Sequence, residues 1–413
     1  MENINLKTYY MVIKILGDFV NNKIIDKDFF NENIIDVANE ENSQKIYIGR
    51  IYYIAKKHNL VSIMAQAMEK LGFESDSDIW KRWLKEKNQL IYKSVLMDVE
   101  REAIQDFFEK NNIWYMLLKG MVIRKYYPAP ELREMADNDI LFDNKYSKEV
   151  YEFMTARGYK SDDYNKGYHD EYLKPPAYNF EMHRQLVSSK ERPKWYEYYK
   201  DVKSILIKDT NENRETAVNS ESNNTSNQFY FSDNDFYVYF IVHTYKHFLN
   251  SGMGLRTVLD VYLYVSNLQE KLDFDYIEEQ LKKLDAYDFE QTFRSIAFKM
   301  FDENLEDRKW WDLFDVKEQE MLSYVLDAGT YGNLENSVAH KMGYTKGEKK
   351  KTSDKAKYIF RRLFPSMDTI EEFFPFFYKH KWAIPFLYIY RIGKIPFARR
   401  KKVAGELKEV FKK

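Results

Sequence analysis

Apolar residues recur at helical spacing through the first quarter of the chain. Val12, Ile15, Leu16 and Phe19 share one face of a helix with 3.6 residues per turn. From about residue 78 to residue 110, Trp, Leu, Ile, Val and Phe are interspersed with Lys, Glu, Gln and Asp in the same period. Such amphipathic segments bury one stripe and expose the other. The pattern predicts an N-terminal helical region over residues 1–111.

The periodicity changes at Ile113. The run IWYMLL (113–118) is short and apolar, with β-branched and aromatic residues, and predicts a buried strand. ADNDILF (136–142) predicts a second strand. A third is predicted over 177–186, where Phe180 and Met182 alternate with Glu181 and His183.

Helical patterns lie between these strands. MVIRKYY (121–127) is expected to be helical until Pro128, because proline removes a backbone donor and clashes with the preceding turn. Residues 148–157 predict a second helix, closed by Gly158 at the position that favours a left-handed residue. This order of strands and helices predicts a small domain with both elements over residues 112–208.

A polar segment follows this domain. Ala217 and Val218 are the only apolar residues of the segment 209–228. Its other residues are mostly Asn, Ser, Thr and Glu. The composition predicts a mobile loop or linker. Helical patterns then continue over residues 229–413. The expected architecture is α+β, with a small mixed β-sheet domain flanked by N-terminal and C-terminal helical domains.

Composition narrows the possible partners. Among 413 residues, 64 basic and 65 acidic residues nearly cancel, so no global field attracts nucleic acid, and a nucleic-acid partner is not expected although it stays open. The absence of cysteine excludes disulfides and thiolate metal sites. The N-terminus lacks the features of a signal peptide and no run of eighteen apolar residues occurs, so we expect a cytoplasmic protein without a transmembrane segment.

The C-terminus is locally basic. Residues 391–413 carry nine basic residues against Glu406 and Glu409, and the aromatic run WAIPFLYIY precedes them. A solvated terminal helix is the favoured interpretation. The alternative is contact with an anionic membrane surface or with nucleic acid.

Three carboxylates are the candidate chemistry. Asp137 and Asp139 are separated by one residue on a predicted strand, so both side chains lie on one face. Glu181, on the next alternating strand, supplies a third carboxylate. Hard divalent cations prefer such oxygens, and an unpaired carboxylate is costly to bury, so this strand is more than scaffold. The arrangement predicts a site for Mg²⁺ or Mn²⁺ and phosphates.

Basic residues near the first strand are candidates to bind the phosphates. The Lys119-Gly120 turn is expected to present backbone N–H groups to a triphosphate. Arg124, Lys125 and Arg133 are expected to neutralise phosphate charge.

Two pairs in the C-terminal region have both a functional and a structural interpretation. His243 and His247 are four residues apart on a predicted helix, and either pack there or line the cleft towards the nucleotide or its acceptor. Arg256 and Asp260 are expected to form an ion pair within one helix, with contact between Arg256 and the nucleotide as the alternative.

The stretch LLKGMVIRKYYPAPELREMADNDILF (117–142), with RGY at 157–159 and FEMHRQL at 180–186, resembles the bacterial uncharacterised nucleotidyltransferase family of the polymerase-beta-like superfamily. The resemblance implies a metal-dependent transferase that moves an NMP from an NTP. By the same resemblance Asp137, Asp139 and Glu181 are the metal-binding and catalytic residues, and Gly120 is the turn glycine. Met121 replaces the usual serine, and Asn138 the commoner isoleucine.

The sequence therefore predicts a nucleotidyltransferase that uses NTP and a hydroxyl or phosphate acceptor on a small molecule or protein. The predicted nucleotide-binding residues are Lys119, Gly120, Arg124, Arg133, His183, His243 and Arg256. Two alternatives stay open. One is a toxin-type nucleotidyltransferase that acts on tRNA or protein. The other is a catalytically silent nucleotide-binding protein of the same fold, which Met121 and Asn138 would suit.

Overall fold

The structure is a computed structural model of the 413-residue chain. It describes residues 6–23, 27–35, 45–162, 164–176, 178–189, 192–210, 226–250, 252–301, 310–330, 360, 364–367, 370–371 and 374–390. The centre of the predicted linker (211–225) and the basic C-terminal tail (391–413) lie outside these residues.

The N-terminal region is helical, as predicted. Its helices are α1 (Leu6–Val20), α2 (Lys27–Asn33), α3 (Ile48–Lys57), α4 (Val61–Lys70) and the long α5 (Asp78–Lys110). Ser77 caps α5 by accepting the N–H of Trp80, as expected of a serine at this position. One feature was not predicted, a parallel pair of two-residue strands, β1 (Ile34–Ile35) and β2 (Ile46–Tyr47).

A four-stranded mixed sheet follows, with the order β3-β4-β6-β5. Its strands are β3 (Tyr115–Leu117), β4 (Asn138–Phe142), β5 (His169–Lys174) and β6 (Tyr178–His183). Strand β4 runs parallel to β6, and the other neighbours are antiparallel. The three predicted strands are present. Strand β5 was missed, although His169 to Lys174 also alternates.

Short helices connect the sheet. Helix α6 (Gly120–Ile123) passes into a 3-10 turn at Arg124–Tyr126, so the helix expected over 121–127 is shorter and tighter than predicted. Helix α7 (Ser147–Ala156) is present, and Gly158 adopts φ +86° behind it as expected. Helix α8 (Pro193–Tyr199) follows the sheet.

The two faces of the sheet have different roles. In β4, β5 and β6, residues of even number, including Ile140, Phe142, Phe180 and Met182, pack against α5 and α7 in an apolar cluster, which Tyr115 of β3 joins. Residues of odd number, which include Asp139, Glu181 and His183, lie on the other face. The period of two in a strand thus separates the core from the candidate chemistry.

The C-terminal region begins with β7 (Ile207–Lys208) and β8 (Phe229–Tyr230), an antiparallel pair that brings together the two ends of the polar segment. Its helices are α9 (Asp233–Asn250), α10 (Leu255–Leu268), α11 (Phe274–Lys283), α12 (Tyr287–Phe301), α13 (Val316–Ala328) and α14 (Pro375–Lys379). The predicted α+β fold is confirmed. In the part of the chain that the structure describes, no helix is both long and apolar enough to span a membrane.

N-terminal and C-terminal helices share one hydrophobic core, with buried residues from α1, α3 and α4 and from α9 to α13. His58, which is fully buried, joins them. Its Nδ1 accepts the N–H of Leu255 at 3.0 Å, so the ring proton lies on Nε2, which is 3.2 Å from the hydroxyl of Tyr9. That hydroxyl donates to the carbonyl of Leu326. Burial disfavours the charged form of this ring and lowers the pKa of His58 to about 3, so the ring is neutral.

The burial of neutral His58 should therefore lower the free energy of unfolding as the pH falls below 6.5. Below pH 6.5 the unfolded chain binds a proton on this ring and the folded chain does not until about pH 3. The linkage costs about 1.4 kcal/mol for each pH unit below 6.5. Urea unfolding at pH 7.5 and pH 5.5 should show that His58→Gln removes this part of the slope. The exposed His380→Gln should keep it, and an unchanged slope in His58→Gln would contradict the assignment.

Candidate active site

The register of the parallel strands brings two carboxylates together. Asp139 of β4 lies directly opposite Glu181 of β6, and Leu141 lies opposite His183. Because His183 follows Glu181 by two residues, both side chains lie on the same face. The sheet thus brings together residues more than forty positions apart in the sequence.

Asp139 is the centre of this group. Its side chain is buried, with Oδ1 2.7 Å from Nζ of Lys119 and 2.8 Å from Nε2 of His183. The same imidazole nitrogen lies 3.5 Å from Oε2 of Glu181. Lys119, Asp139, Glu181 and His183 therefore form one charged cluster, which we call the carboxylate cluster.

The cluster has the donor atoms of a metal site. One atom each of Asp139, Glu181 and His183 lies within 4.8 Å of the others, so a single ion could bind all three. Two carboxylates with one imidazole are a donor set suited to divalent cations. Asp137 precedes β4 by one residue and is not part of this trio.

Burial and neighbouring charges shift the protonation of the cluster. Burial alone would raise the pKa of Asp139, but Lys119 and His183 hold it well below its usual range. Burial opposes the charge of His183, yet its hydrogen bonds to Asp139 and Glu181 raise its pKa. Burial and the negative charge of Asp139 raise the pKa of Asp137 to about 6. Negative charge is thus crowded at Asp137, which a bound cation would relieve.

Lys119 reaches Asp139 from a strained turn. The pairing of β3 with β4 extends to Leu118, whose N–H donates to the carbonyl of Asp139. Lys119 then adopts φ 45° and ψ −109°, a sparsely populated conformation that costs about 1–3 kcal/mol. The N–H groups of Met121 and Val122 donate to the carbonyls of Leu118 and Lys119. The contact of this turn with phosphate stays a prediction. The Lys119 ammonium is the group of the turn best suited to make it.

Gly120 is required by a close neighbour. A Cβ at this position would overlap the guanidinium of Arg133. That guanidinium is buried and donates through Nε and Nη2 to the two carboxylate oxygens of Asp260, at 2.8 and 2.7 Å. The hydroxyl of Tyr127 also donates to Asp260 at 2.7 Å. The pair joins the turn to helix α10.

The expected ion pair between Arg256 and Asp260 is wrong. Asp260 is saturated by Arg133 and Tyr127, which approach from the sheet domain and outcompete a neighbour on the same helix. Nη1 of Arg256 instead donates to the carbonyl of Glu134 at 2.6 Å. Arg256 lies near enough to Asp137 to oppose the rise in the pKa of that carboxyl, and Nε of Arg256 is buried without a hydrogen-bond partner.

Arg124 faces away from the cluster. Its guanidinium binds both oxygens of Asp98 on α5, at 2.6 and 3.0 Å. Asn138 lies on the same side of the sheet, buried and 3.5 Å from Nη1 of Arg101. The structure therefore does not bring Arg124 to the carboxylates. Its role with phosphate, like that of Arg133, stays a prediction.

Helix α9 provides further groups near the cluster. Tyr239 is buried, its hydroxyl has no hydrogen-bond partner, and burial raises its pKa, with Asp139 and Glu181 adding to that effect. Burial and the charge of Lys119 hold the pKa of His243 well below its usual value. Nε2 of His243 lies 3.2 Å from Nε2 of His247. His243 is thus close to Lys119, and its contact with a nucleotide or acceptor stays a prediction.

Two residues of the site were missed. His169 of β5 lies opposite His183, with ring centroids 5.0 Å apart, and its Nε2 is 3.7 Å from Glu181. Tyr168, beside it, accepts a hydrogen bond from Lys246 of α9 at 2.6 Å. The alternation of His169 and Glu171 with Asp170 and Tyr172 was the available signal.

Comparison with known protein families finds a match. A family model described as "Uncharacterised nucleotidyltransferase" matches residues 44–302, more than half of the chain. The matched range contains every residue of the carboxylate cluster. No curated protein and no solved structure matched the chain.

Arg133 and Asp260 should behave as a coupled structural pair. Asp260→Leu strands a buried guanidinium and Arg133→Met strands a buried carboxylate, so each should cost about 3–5 kcal/mol. The double variant should cost far less than the sum, as measured by urea unfolding. The exposed pair Lys148 and Glu152 on α7 is the matched control and should show coupling near zero. Additive losses at Arg133 and Asp260 would contradict this role.

Proposed function

The chain belongs to the uncharacterised nucleotidyltransferase family, and from this we propose that it transfers an NMP from an NTP to an acceptor. The acceptor group is a hydroxyl or a phosphate on a small molecule or a protein. The observation that supports this most is the pairing of Asp139 with Glu181 across parallel strands, with His183 beside them. Asp139 and His183 are buried and Glu181 is partly buried on the polar face of the sheet.

The residues present fit a divalent cation. Asp139, Glu181 and His183 would hold it, with Asp137 at the edge of the same face. The fit rests on the donor set, on the burial and the neighbouring negative charge that raise the pKa of Asp137, and on the unpartnered hydroxyl of Tyr239 nearby. When bound, Mg²⁺ or Mn²⁺ would polarise the α-phosphate and help to ionise the attacking hydroxyl.

The side chains of the chain supply the remaining steps. Glu181 is the most exposed carboxylate of the cluster and would accept the proton of the incoming hydroxyl. Lys119 keeps Asp139 ionised and offers its ammonium to a phosphate oxygen. Arg256 and His243 approach the same space from α10 and α9, where they would position the nucleotide.

The position of Asn138 favours an active enzyme over a silent binding protein. Its side chain faces Arg101 on the opposite side of the sheet, so replacement of an apolar residue there leaves Asp137 and Asp139 unchanged. Met121 also contacts Arg101, through its sulfur at 3.2 Å. The missing hydroxyl of the turn is compensated in this proposal by Lys119.

The proposal predicts NTP turnover that depends on the cluster. Purified protein with Mg²⁺ or Mn²⁺ and each labelled NTP should release pyrophosphate in the presence of cell-extract acceptors. Asp139→Asn and Glu181→Gln should each lower the rate by at least about a hundredfold, because the ligand charge is lost. Asp143→Asn, just beyond β4, is the matched control and should stay near wild type. Equal activity in Asp139→Asn would refute the catalytic assignment.

The imidazole in the donor set predicts a metal preference. Nitrogen suits transition ions better than Mg²⁺, so Mn²⁺ should bind more tightly than Mg²⁺. His183→Asn should weaken Mn²⁺ binding on the order of tenfold or more and Mg²⁺ binding less. Electron paramagnetic resonance of free Mn²⁺ measures this without substrate. The exposed His380→Asn serves as the control, and an unchanged Mn²⁺ affinity in His183→Asn would remove the imidazole from the donor set.

A further inference from the structure

An aromatic surface lies near the end of the described chain, far along the sequence from the carboxylate cluster. Trp382 is 73% exposed, Phe386 62% and Ile389 67%. Residues 381–390 are helical, beginning with a 3-10 turn at Lys381–Ala383. Positions 382, 386 and 389 fall on one side of this helix, within about 60° of arc. We call these three residues the aromatic face.

The opposite side of the same helix is anchored. Ala383 is 4% exposed and Leu387 is fully buried, so this side packs against the protein. The helix is therefore apolar on both sides, with only one side covered. Single exposed apolar residues are ordinary, but a large aromatic side chain, a second one four residues later and an isoleucine on the same stripe form a continuous patch. Such a patch indicates a binding surface.

Basic residues adjoin the aromatic face in the sequence. Lys379 and Lys381 are exposed at its N-terminal end. In the sequence that continues beyond it, residues 391–402 contain six basic residues and no acidic one. The chain as a whole has a net charge of −1, so this positive charge is local. An occupant of this surface must accept apolar side chains and also carry negative charge.

We propose that the aromatic face docks peripherally on an anionic lipid bilayer. Tryptophan and phenylalanine insert at the boundary between headgroups and acyl chains, and neighbouring Lys and Arg attract anionic lipids. The apolar stripe is a single helical face and not a membrane-spanning segment, so the helix lies in the plane of the surface. A surface of this kind would hold the enzyme at the membrane, where it would meet acceptors that carry a lipid or lie at the surface.

Sedimentation with vesicles tests the proposal. The full chain should bind vesicles of phosphatidylcholine with 30% phosphatidylglycerol at least tenfold more strongly than vesicles of phosphatidylcholine alone. Binding should weaken as NaCl is raised, because the attraction to the headgroups is screened. The variant Trp382→Ala, Phe386→Ala, Ile389→Ala should lose at least tenfold in binding. Lys379→Glu with Lys381→Glu keeps the apolar side chains and should lose the preference for anionic lipid.

A matched control is available on α5. Tyr92, Val95 and Val99 are also exposed apolar residues on one helix, at 65%, 50% and 58%. Their triple alanine variant should bind anionic vesicles as wild type does. Circular dichroism should show that each variant is folded, because the substituted side chains are exposed. Wild-type protein that ignores anionic vesicles, or an aromatic-face variant that binds them unchanged, would overturn the proposal.

Light scattering without lipid distinguishes a lipid bilayer from other possible occupants of the aromatic face. A wild-type dimer that becomes monomeric in the aromatic-face variant, together with no vesicle binding, would assign the surface to a second copy of the chain and overturn the proposal. A monomer that binds vesicles only after residues 391–413 are removed would show that the chain's own tail covers the face, which also overturns it. A monomeric wild type that binds anionic vesicles supports it.

Discussion

The burial of Asp139 is the constraint on which the rest of this structure depends. An ionised carboxylate that is 4% exposed needs charged partners, because an unpaired charge in the interior is far too costly. Lys119 and His183 supply that compensation from two neighbouring strands. The strained backbone at Lys119, the glycine behind it and the Arg133–Asp260 pair packed against that glycine hold the lysine in place. The site thus depends on helix α10 as well as on the sheet.

The sheet serves the site by keeping two environments apart. The even-numbered residues of β4, β5 and β6 complete an apolar cluster with α5 and α7, which fixes the strands. The polar side, with Asp139, Glu181 and His183, meets α9, which contributes Tyr239, His243 and Lys246. Because the N-terminal helices and α9 to α13 share one core, the helical parts also hold α9 over the sheet. The family match, which runs from residue 44 to residue 302, spans both.

The basic residues near the predicted phosphate site make two kinds of contact. Lys119 and His183 are directed at carboxylates on the polar face. Arg124 and Arg133 are directed at Asp98 and Asp260, where the pairs stabilise the packing of α5 and α10. An arginine near a predicted phosphate site is therefore a poor guide to function by itself, because its planar fork serves equally well in a buried structural pair.

The sequence by itself determined the local structure and the candidate carboxylates. Periods of 3.6 and 2 predicted the helices, three of the four sheet strands and the shared face of Glu181 and His183. It missed β5 and, in α10, the partner of Asp260. Strand order, the register of Asp139 with Glu181 and the place of His183 beside both were decided by tertiary structure alone. The physical reason is that alternation defines a face within a strand, whereas the neighbours of that face depend on which strands pair.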